Sequence, residues 1–297
     1  MLPFLSQLGE LRHAEEIALD FSHLRRVTPA GLTALAASVN GWQRQNRGVA
    51  FHGLSDCAIT GYLQRMDLLS ACRVQLPKGF QRHEAQGRFV PVRVIDHDVT
   101  QLGRDVAGCL APGGEDYDHP MAGLYDLANY VITEVANNTR QHSAGVGYAA
   151  AQVTRTEGFV RIALADDGIG MLRSLQLVEY PGSDRFTDME AICKSMEPRV
   201  SCKVGNPNEG VGLTLVSNLT RLAKGWLMIV SGSGVVTIPR DLQTIVRTLP
   251  DNGYYRGTLV AGSFPQQTTR DFADLLQRAK IGAGLLRGGT INATFEA

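Results

Sequence analysis

The most informative segment of this chain reads LYDLANYVITEVANNTRQH (residues 124–142). If it is a helix, Leu127, Val131, Glu134, Asn138 and His142 recur at offsets of four, three, four and four and share one stripe. The apolar first half predicts that the stripe faces the interior, whereas the second half carries an acid, an amide and an imidazole. Burying such groups without partners costs on the order of 1–3 kcal/mol each. The pattern therefore predicts polar partners or a ligand, and the alternative is a helix whose C-terminal half lies in water.

Two strand-like runs follow this helix, GYAAAQVTR (147–155) and FVRIALADDGIG (159–170), with a hairpin turn predicted at residues 156–158. The second run ends in a D-x-G-x-G motif that begins at Asp166 and includes Gly168 and Gly170. An Asp at a strand end can accept a hydrogen bond from an exocyclic amine such as that of adenine. Glycines allow the backbone to approach a flat base. Alone the motif is weak, because Asp and Gly are common in turns.

A glycine-rich turn opens the next helix, where Gly210, Val211, Gly212 and Leu213 precede the amphipathic run that ends near Lys224. Such a turn presents free N–H groups and the positive end of the helix dipole, which suits phosphates. Between the two motifs, residues 171–209 lack a sustained periodic pattern, and we expect them to be mobile unless a ligand orders them. Later, YYRGTLVAG puts Thr258 after a glycine in a strand.

The remaining segments predict alternating strands and helices. We expect strands at 16–21, 48–54 and 88–95, a helix from Pro29, and a helix with Ser55-Asp56 as its N-cap through about Leu69. Further helices are expected at about 98–110 and 267–280, with a loop at 111–120.

Composition limits the classes of function. Lys plus Arg and Asp plus Glu both number 29, so no global field draws the chain to nucleic acid or membrane. Five cysteines without a C-x-x-C pair fit a reducing compartment rather than a disulfide framework or zinc site. No apolar run approaches the roughly 20 residues that span a bilayer, and the N-terminus does not resemble a signal peptide. We therefore expect a soluble cytoplasmic protein. The sequence contains neither a G-x-x-x-x-G-K-[ST] loop nor an H-E-x-x-H motif.

The order of these motifs, E-x-x-x-N, D-x-G-x-G, G-x-G-L and G-T, resembles the signature of the GHKL ATPases, the superfamily of gyrase, Hsp90, histidine kinases and MutL. The resemblance covers about residues 88–263, and TEVANNTRQH is most similar to the anti-sigma serine-kinase branch. It implies that Asn138 ligates Mg²⁺ and that Glu134 polarises the attacking water or hydroxyl. It also implies an adenine site at Asp166, supported by Thr258.

The resemblance assigns the remaining binding roles to backbone groups and to a lid. The glycines of the D-x-G-x-G motif, Gly168 and Gly170, would lie against the base. The start of the next helix would hold the phosphates of ATP, at Gly210, Val211, Gly212 and Leu213. Residues 171–209 would form the lid, in which Lys203 and Asn208 are candidate phosphate contacts.

The N-terminal run IALDFSHLRRVTPAGLTALAASV and the following GVAFHGLSDCAITGYLQRMDLL resemble a STAS domain, the anti-sigma-antagonist fold. Many antagonists carry a phosphorylatable Ser before the glycine that opens the helix. Ala30 stands at that position here, and Thr28 lies two residues earlier. The alternative is a generic α/β module used for packing.

Together these patterns predict an α/β protein. A STAS-like α/β domain (1–78) would precede a GHKL (Bergerat) α/β sandwich with a mixed, mainly antiparallel sheet (88–265), followed by a C-terminal helix and tail (266–297). Three functions stay open: a regulatory ATPase or ATP-dependent switch, a serine protein kinase acting on a separate STAS protein, and a non-catalytic scaffold. We favour the first.

Overall fold

The computed structural model describes residues 1–75, 84–154, 158–200, 210–266 and 271–286, and these form an α/β fold. Its strands are β1 (Glu16–Asp20), β2 (Gly48–His52), β3 (Phe89–Val94), β4 (Gly147–Thr154), β5 (Phe159–Asp166), β6 (Trp226–Gly232), β7 (Gly234–Ile238), β8 (Ile245–Thr248) and β9 (Tyr255–Pro265). Its α-helices are α1 (Leu2–Glu10), α2 (Pro29–Arg44), α3 (Thr60–Arg65), α4 (Leu68–Ala71), α5 (Val99–Leu110), α6 (Ala122–His142), α7 (Gly170–Leu177), α8 (Asp188–Ser195), α9 (Gly212–Leu222) and α10 (Phe272–Gly282).

Seven strands form one sheet in the order β3-β4-β5-β9-β6-β7-β8, and each neighbouring pair is antiparallel. The last strand in the chain, β9, lies between β5 and β6, and Ala165 of β5 pairs with Leu259 of β9. This register brings the C-terminal end of β5 next to Thr258. The predicted α/β class and the mainly antiparallel sheet are confirmed.

One face of the sheet is covered by α5, α6 and α9, and α10 packs against α6 and α9. Leu127 and Ile132 of α6, Leu219 of α9 and Phe264 of β9 belong to the core on this face. The apolar stripe of α6 is buried here, as its spacing predicts. Because α6 contacts β4, β5 and the start of α9, its polar C-terminal half lies over the end of β5.

The opposite face is covered by the N-terminal segment. Its strands β1 and β2 form a separate parallel pair, and α2 packs on β4 and β5. Small residues occur on both sides of this contact, including Ala34 and Ala36 of α2 and Ala163 and Ala165 of β5, so helix and sheet approach closely. The N-terminal segment and the large sheet therefore share a hydrophobic core. The boundary predicted near residue 78 falls within 76–83, outside the described residues.

The helix predicted from Ser55 to about Leu69 is wrong in extent. The chain forms two short helices, α3 and α4, separated by Asp67 in the left-handed region at φ 55°. Ser55 hydrogen-bonds the side chain of Asp56 (3.4 Å) instead of capping a helix. A left-handed residue interrupts the helical hydrogen-bond ladder, and the apolar spacing alone did not reveal it.

Residues 171–209 were expected to be mobile because they lack a sustained periodic pattern, but the part up to Ser195 contains regular structure. This part contains most of α7 and the whole of α8, which contact β6 and β7. A capping box starts α8: Glu190 N donates to Thr187 Oγ1 (3.3 Å) and Thr187 N donates to Glu190 Oε2 (2.7 Å). Each helix has eight residues, too few for a sustained periodic pattern. Lys203 and Asn208 lie outside the described residues.

Two further predicted segments fall partly outside the described residues. The C-terminal helix α10 begins at Phe272, where Asp271 caps it by accepting from Asp274 N (3.0 Å). Its predicted start at 267 lies outside the described residues, as do residues 156 and 157 of the predicted hairpin turn. The strands on either side of that turn pair as predicted, from Thr154 with Phe159 to Gly147 with Asp166.

Candidate functional site

A cavity of ≈ 280 Å³ lies between the C-terminal half of α6, the end of β5, the first turns of α7 and α9, and β9. It is close in size to the lower end of about 300–1,000 Å³ found for small-molecule sites. Most residues singled out from the sequence line it, namely Glu134, Asn138, His142, Asp166, Gly170, Gly210, Gly212, Leu213 and Thr258. Gly168 and Val211 are not among its lining residues. The cavity thus brings together motifs that span 125 positions of the chain, from 134 to 258.

The α6 stripe changes character where it reaches this cavity. Leu127 and Val131 are 1% and 2% exposed and belong to the core. Glu134, Asn138 and His142, at successive turns, are half-buried and line the cavity. These three groups therefore face a partly enclosed cavity rather than the hydrophobic core.

Glu134 lies against the start of α9. A Cβ added to Gly212 would collide with Oε2 of Glu134, so only glycine fits there without a shift. Burial raises the pKa of the Glu134 carboxyl above its ordinary value. A general base works best when its pKa approaches the operating pH. The carboxylate thus lies at a helix N-terminus, in an environment that makes it more basic than a surface glutamate.

Asp166 is the most deeply buried charged group in the cavity wall, at 2% exposure. Its Oδ1 accepts hydrogen bonds from Gly168 N (2.9 Å) and Thr258 N (3.3 Å). Among the described residues no donor reaches Oδ2, so this oxygen can accept from a ligand. Burial raises the pKa of Asp166 to about 7, although the two backbone bonds act in the opposite direction. A buried acceptor of this kind can recognise an amine donor.

The glycines of the D-x-G-x-G motif hold the loop against its neighbours. A Cβ on Gly168 would collide with the carbonyl oxygen of Ser143, just after α6. Gly170 has φ +76°, and a Cβ there would lie 2.9 Å from Ser231 Oγ. Gly168 therefore positions the loop that carries Asp166, and Gly170 lets the backbone enter the cavity wall.

A hydroxyl network joins the loop to β6 and β9. Ser231 Oγ accepts from Met171 N (2.8 Å), donates to Gly257 O (3.1 Å) and lies 3.5 Å from Thr258 Oγ1. The sequence analysis did not identify Ser231, because one serine at the end of an apolar strand carries no periodic or motif signal. Its contacts make it a positioning residue for both Gly170 and Thr258.

The helix α9 presents its N-terminal end to the cavity. Val211, its N-cap residue, makes no side-chain cap hydrogen bond, and Gly210, Gly212 and Leu213 line the cavity. The first N–H groups of a helix have no partner within the helix. With the helix dipole they form a site that favours anions, a single charge there being stabilised by about 0.3–1 kcal/mol.

Helix α7 forms a wall that the sequence analysis missed. Met171, Ser174 and Leu175 line the cavity from this helix, at the i, i+3 and i+4 positions of one face. These three positions cover little more than one helical turn after Gly170, which is too short a pattern to predict a helix by itself.

Asp167 turns away from the cavity and pairs with the N-terminal segment. Its Oδ2 accepts from Arg44 Nη2 at the C-terminal end of α2, and its Oδ1 accepts from Val146 N (2.9 Å). Asp167 is 7% exposed and Arg44 is 40% exposed. A Cβ on Gly41 would lie 2.6 Å from Asp167 Oδ2, so α2 approaches the loop closely at this glycine. The N-terminal segment thus contacts the loop that carries Asp166.

Within the described ranges, no group of three or more His, Cys, Asp and Glu side chains is arranged to hold a metal ion by itself. A metal at this cavity would rely on Asn138 together with ligand oxygens and water, as Mg²⁺ commonly does. None of the helices in those ranges is long and apolar enough to cross a membrane.

Comparison with known proteins shows no family to which the chain belongs. No protein-family model matches it. The chain is similar to the acetolactate synthase isozyme 1 large subunit of Escherichia coli (strain K12), with 24% identity over 224 residues. The match includes 69% of this chain and 38% of that subunit, so the aligned region spans well under half of the relative's length.

Proposed function

We propose that the chain binds Mg²⁺ and ATP in this cavity and acts as a regulatory ATPase or ATP-dependent switch of the GHKL type. The observation that carries the proposal is the convergence of Glu134, Asn138, Asp166 and the N-terminal end of α9 on one cavity. These groups match the acid, metal, base-recognition and phosphate functions in the order that the GHKL resemblance implies. The proposed fold assignment, a Bergerat-type sandwich with a STAS-like N-terminal segment, rests on the same resemblance.

The residues of the cavity fit such a ligand. Asp166 Oδ2 would accept from the adenine amine, and Thr258 supports it through the backbone bond to Oδ1. The apolar wall of Met171 and Leu175 would lie beside the base. Unpaired N–H groups at the start of α9 would hold phosphate oxygens.

Two neighbouring side chains on α6 would divide the remaining tasks. The amide oxygen of Asn138 would ligate Mg²⁺, which neutralises charge on the phosphates when bound. Glu134, one turn earlier, would orient the attacking water and accept its proton, helped by its raised pKa. Its position against Gly212 keeps the carboxylate next to the expected phosphate site.

The contact between Arg44 and Asp167 supports a switch rather than an isolated ATPase. It joins α2 of the STAS-like segment to the residue next to Asp166. A change at the base site would therefore be felt by the N-terminal segment, and a protein partner bound to that segment would influence the site in return. A separate STAS-type protein is the partner class that the resemblance favours. We assign this activity to the cytoplasm, which agrees with the free thiols of the four described cysteines.

Two substitutions on α6 test the proposal. Asn138 acts on the bound ground state, so Asn138→Ala should remove most of the ATP-dependent thermal stabilisation. That stabilisation is about 2.7 kcal/mol at a hundredfold excess of ligand over its dissociation constant. Glu134→Ala should retain it and reduce phosphate release by about 10²–10⁴, the usual contribution of a general base.

Asp126→Ala is the matched control, because this exposed acid lies two turns earlier on the same helix and does not line the cavity. An unchanged rate in Glu134→Ala would refute the catalytic role. Transfer of labelled phosphate to an added STAS protein, without phosphate release, would replace the ATPase assignment with the serine kinase. ATP binding without phosphate release and without phosphate transfer would favour the non-catalytic scaffold.

A further inference from the structure

A second cavity, of ≈ 220 Å³, lies between the end of α1, the C-terminal end of α2 and the start of β9. Three arginines line it, Arg12, Arg47 and Arg256, together with the rings of Trp42 and Tyr254. None of the described residues that line it is an aspartate or glutamate. Because the chain as a whole is neutral, with 29 basic and 29 acidic residues, this concentration of positive charge is local. We call this cavity the arginine pocket.

Backbone carbonyls, rather than carboxylates, hold the guanidinium groups of Arg47 and Arg256. Arg47 donates from all three nitrogens to backbone carbonyls of the 3₁₀ turn Leu11–His13 and its flank. The bonds run from Nε to Ala14 O (2.5 Å), from Nη1 to Arg12 O (3.3 Å) and from Nη2 to Leu11 O. Arg256 Nε donates to Asp167 O (3.2 Å). In the described part of the chain, none of the three arginines forms an ion pair.

The aromatic rings support the same charges. The guanidinium carbon of Arg12 lies 5.6 Å from the centre of the Tyr254 ring, and that of Arg47 lies 5.7 Å from the Trp42 ring. Arg12 Nε also donates to His13 Nε2 (3.0 Å), so the facing imidazole is an acceptor. Burial, and next the charge of Arg256, lower the pKa of Arg47. Repulsion between Arg47 and Arg256 is therefore present, and a bound anion would relieve it.

We propose that the arginine pocket is a binding site for a phosphate group. Guanidinium groups match the oxygens of phosphate, and Arg12 and Arg256 each hydrogen-bond within the protein only through Nε among the described contacts, which leaves their Nη donors for an anion. Arg47, whose three nitrogens donate to backbone carbonyls, adds its charge, and the three charges together exceed that of one phosphate dianion. The walls of Trp42 and Tyr254 leave an aromatic surface beside the anion. The pocket is distinct from the first cavity, with which it shares no lining residue. Arg256 nevertheless contacts Asp167, and Tyr255 Oη donates to Asp166 O (3.3 Å), so the pocket adjoins the loop of the first site.

Trp42 provides a direct reporter of the arginine pocket. The chain has two tryptophans, so Trp226→Phe leaves Trp42 as the single fluorophore excited at long wavelength. At constant ionic strength, titration with inorganic phosphate and with phenyl phosphate should each give a saturable change in emission. Tighter binding of phenyl phosphate would indicate a phosphate attached to an aromatic group, and tighter binding of inorganic phosphate would indicate the free ion.

Arg256→Gln and Arg12→Gln should each raise the dissociation constant about tenfold or more, because each removes a charged donor. Arg104→Gln, at an exposed arginine of α5 outside both cavities, should leave it unchanged. Asn138→Ala should also leave it unchanged, which separates this site from the proposed nucleotide site. Calorimetry on the unmodified chain repeats the test if Trp226→Phe does not fold.

The proposal is overturned if neither the Trp42 fluorescence titrations nor calorimetry shows saturable binding of inorganic phosphate or phenyl phosphate. It is overturned equally if Arg104→Gln weakens binding as much as Arg256→Gln, which would show a general ionic effect. Loss of binding in Asn138→Ala with retention in Arg256→Gln would assign the phosphate to the first cavity. None of these outcomes depends on whether the first cavity binds ATP.

Discussion

Replacing Asp166 by asparagine should make the free protein more stable and its nucleotide binding weaker. The substitution keeps an acceptor at Oδ1 for Gly168 N and Thr258 N and removes the charge from a site that is 2% exposed. Burial raises the pKa of Asp166 to about 7, against an ordinary value of 3.8. Between about pH 4 and pH 7, Asp166 therefore keeps its proton in the native state and loses it in the unfolded chain.

The sign and size of the effect follow from this difference. Because the native pKa is the higher one, the contribution of Asp166 to stability is fully present below about pH 4 and is lost as the pH rises through 7. At about 1.4 kcal/mol per pH unit over roughly three units, the loss amounts to about 4 kcal/mol at most. Asp166→Asn has no such proton, so its stability relative to the wild type should rise by up to this amount between pH 4 and pH 8.

Urea denaturation of the wild type and Asp166→Asn at several pH values measures this difference.

The same substitution should weaken ATP binding, although it stabilises the free protein. With Oδ1 held by the two backbone N–H groups, the new amide directs its NH₂ donors to the cavity, where they oppose the adenine amine. ATP stabilisation should fall sharply, and GTP, which has a carbonyl at that position, should bind the wild type poorly. The reasoning is refuted if the two proteins show parallel pH profiles, or if ATP and GTP stabilise the wild type equally.

Three further predictions concern the surroundings of this site. Gly212→Ala should be less favourable to stability in the wild type than in a Glu134→Ala background, by about 0.5 kcal/mol or more, because its Cβ would meet Glu134 Oε2 and the carboxylate would have to move aside. Equal effects in both backgrounds would contradict the close approach. Arg44→Gln should lower the free energy of unfolding by about 1–2 kcal/mol. This is less than the loss expected on breaking a fully buried ion pair, because Arg44 is 40% exposed. A double-mutant cycle with Asp167→Asn should show that the two side chains are energetically coupled. A coupling free energy of zero in this cycle would contradict the proposed connection between α2 and the loop that carries Asp166. Hydrogen exchange in α7 should slow with a non-hydrolysable ATP analogue while α10 stays unchanged, since α7 lines the cavity and α10 does not; unchanged exchange in α7 at saturation would argue against a nucleotide there.

The amino-acid sequence by itself determined the elements whose signals are local. The α6 stripe and the alternation of strands and helices are visible because helical and extended periods repeat over a few residues. Asp166 and Gly212 could be singled out because each belongs to a short motif with a steric or hydrogen-bonding reason. The same logic failed for α7 and α8, whose eight-residue lengths give too few repeats for a periodic signal.

Only the tertiary structure decided which distant groups meet. Ser231 joins the site from β6, sixty residues after Met171, and Arg44 reaches Asp167 from 123 residues earlier in the chain. The arginine pocket likewise joins Arg12 to Arg256 across nearly the whole chain. No local pattern encodes these contacts, because they depend on strand order and on the packing of α2 against the sheet. Sequence periodicity fixes which face of an element is buried, whereas the partner of that face is fixed by the free energy of the complete core.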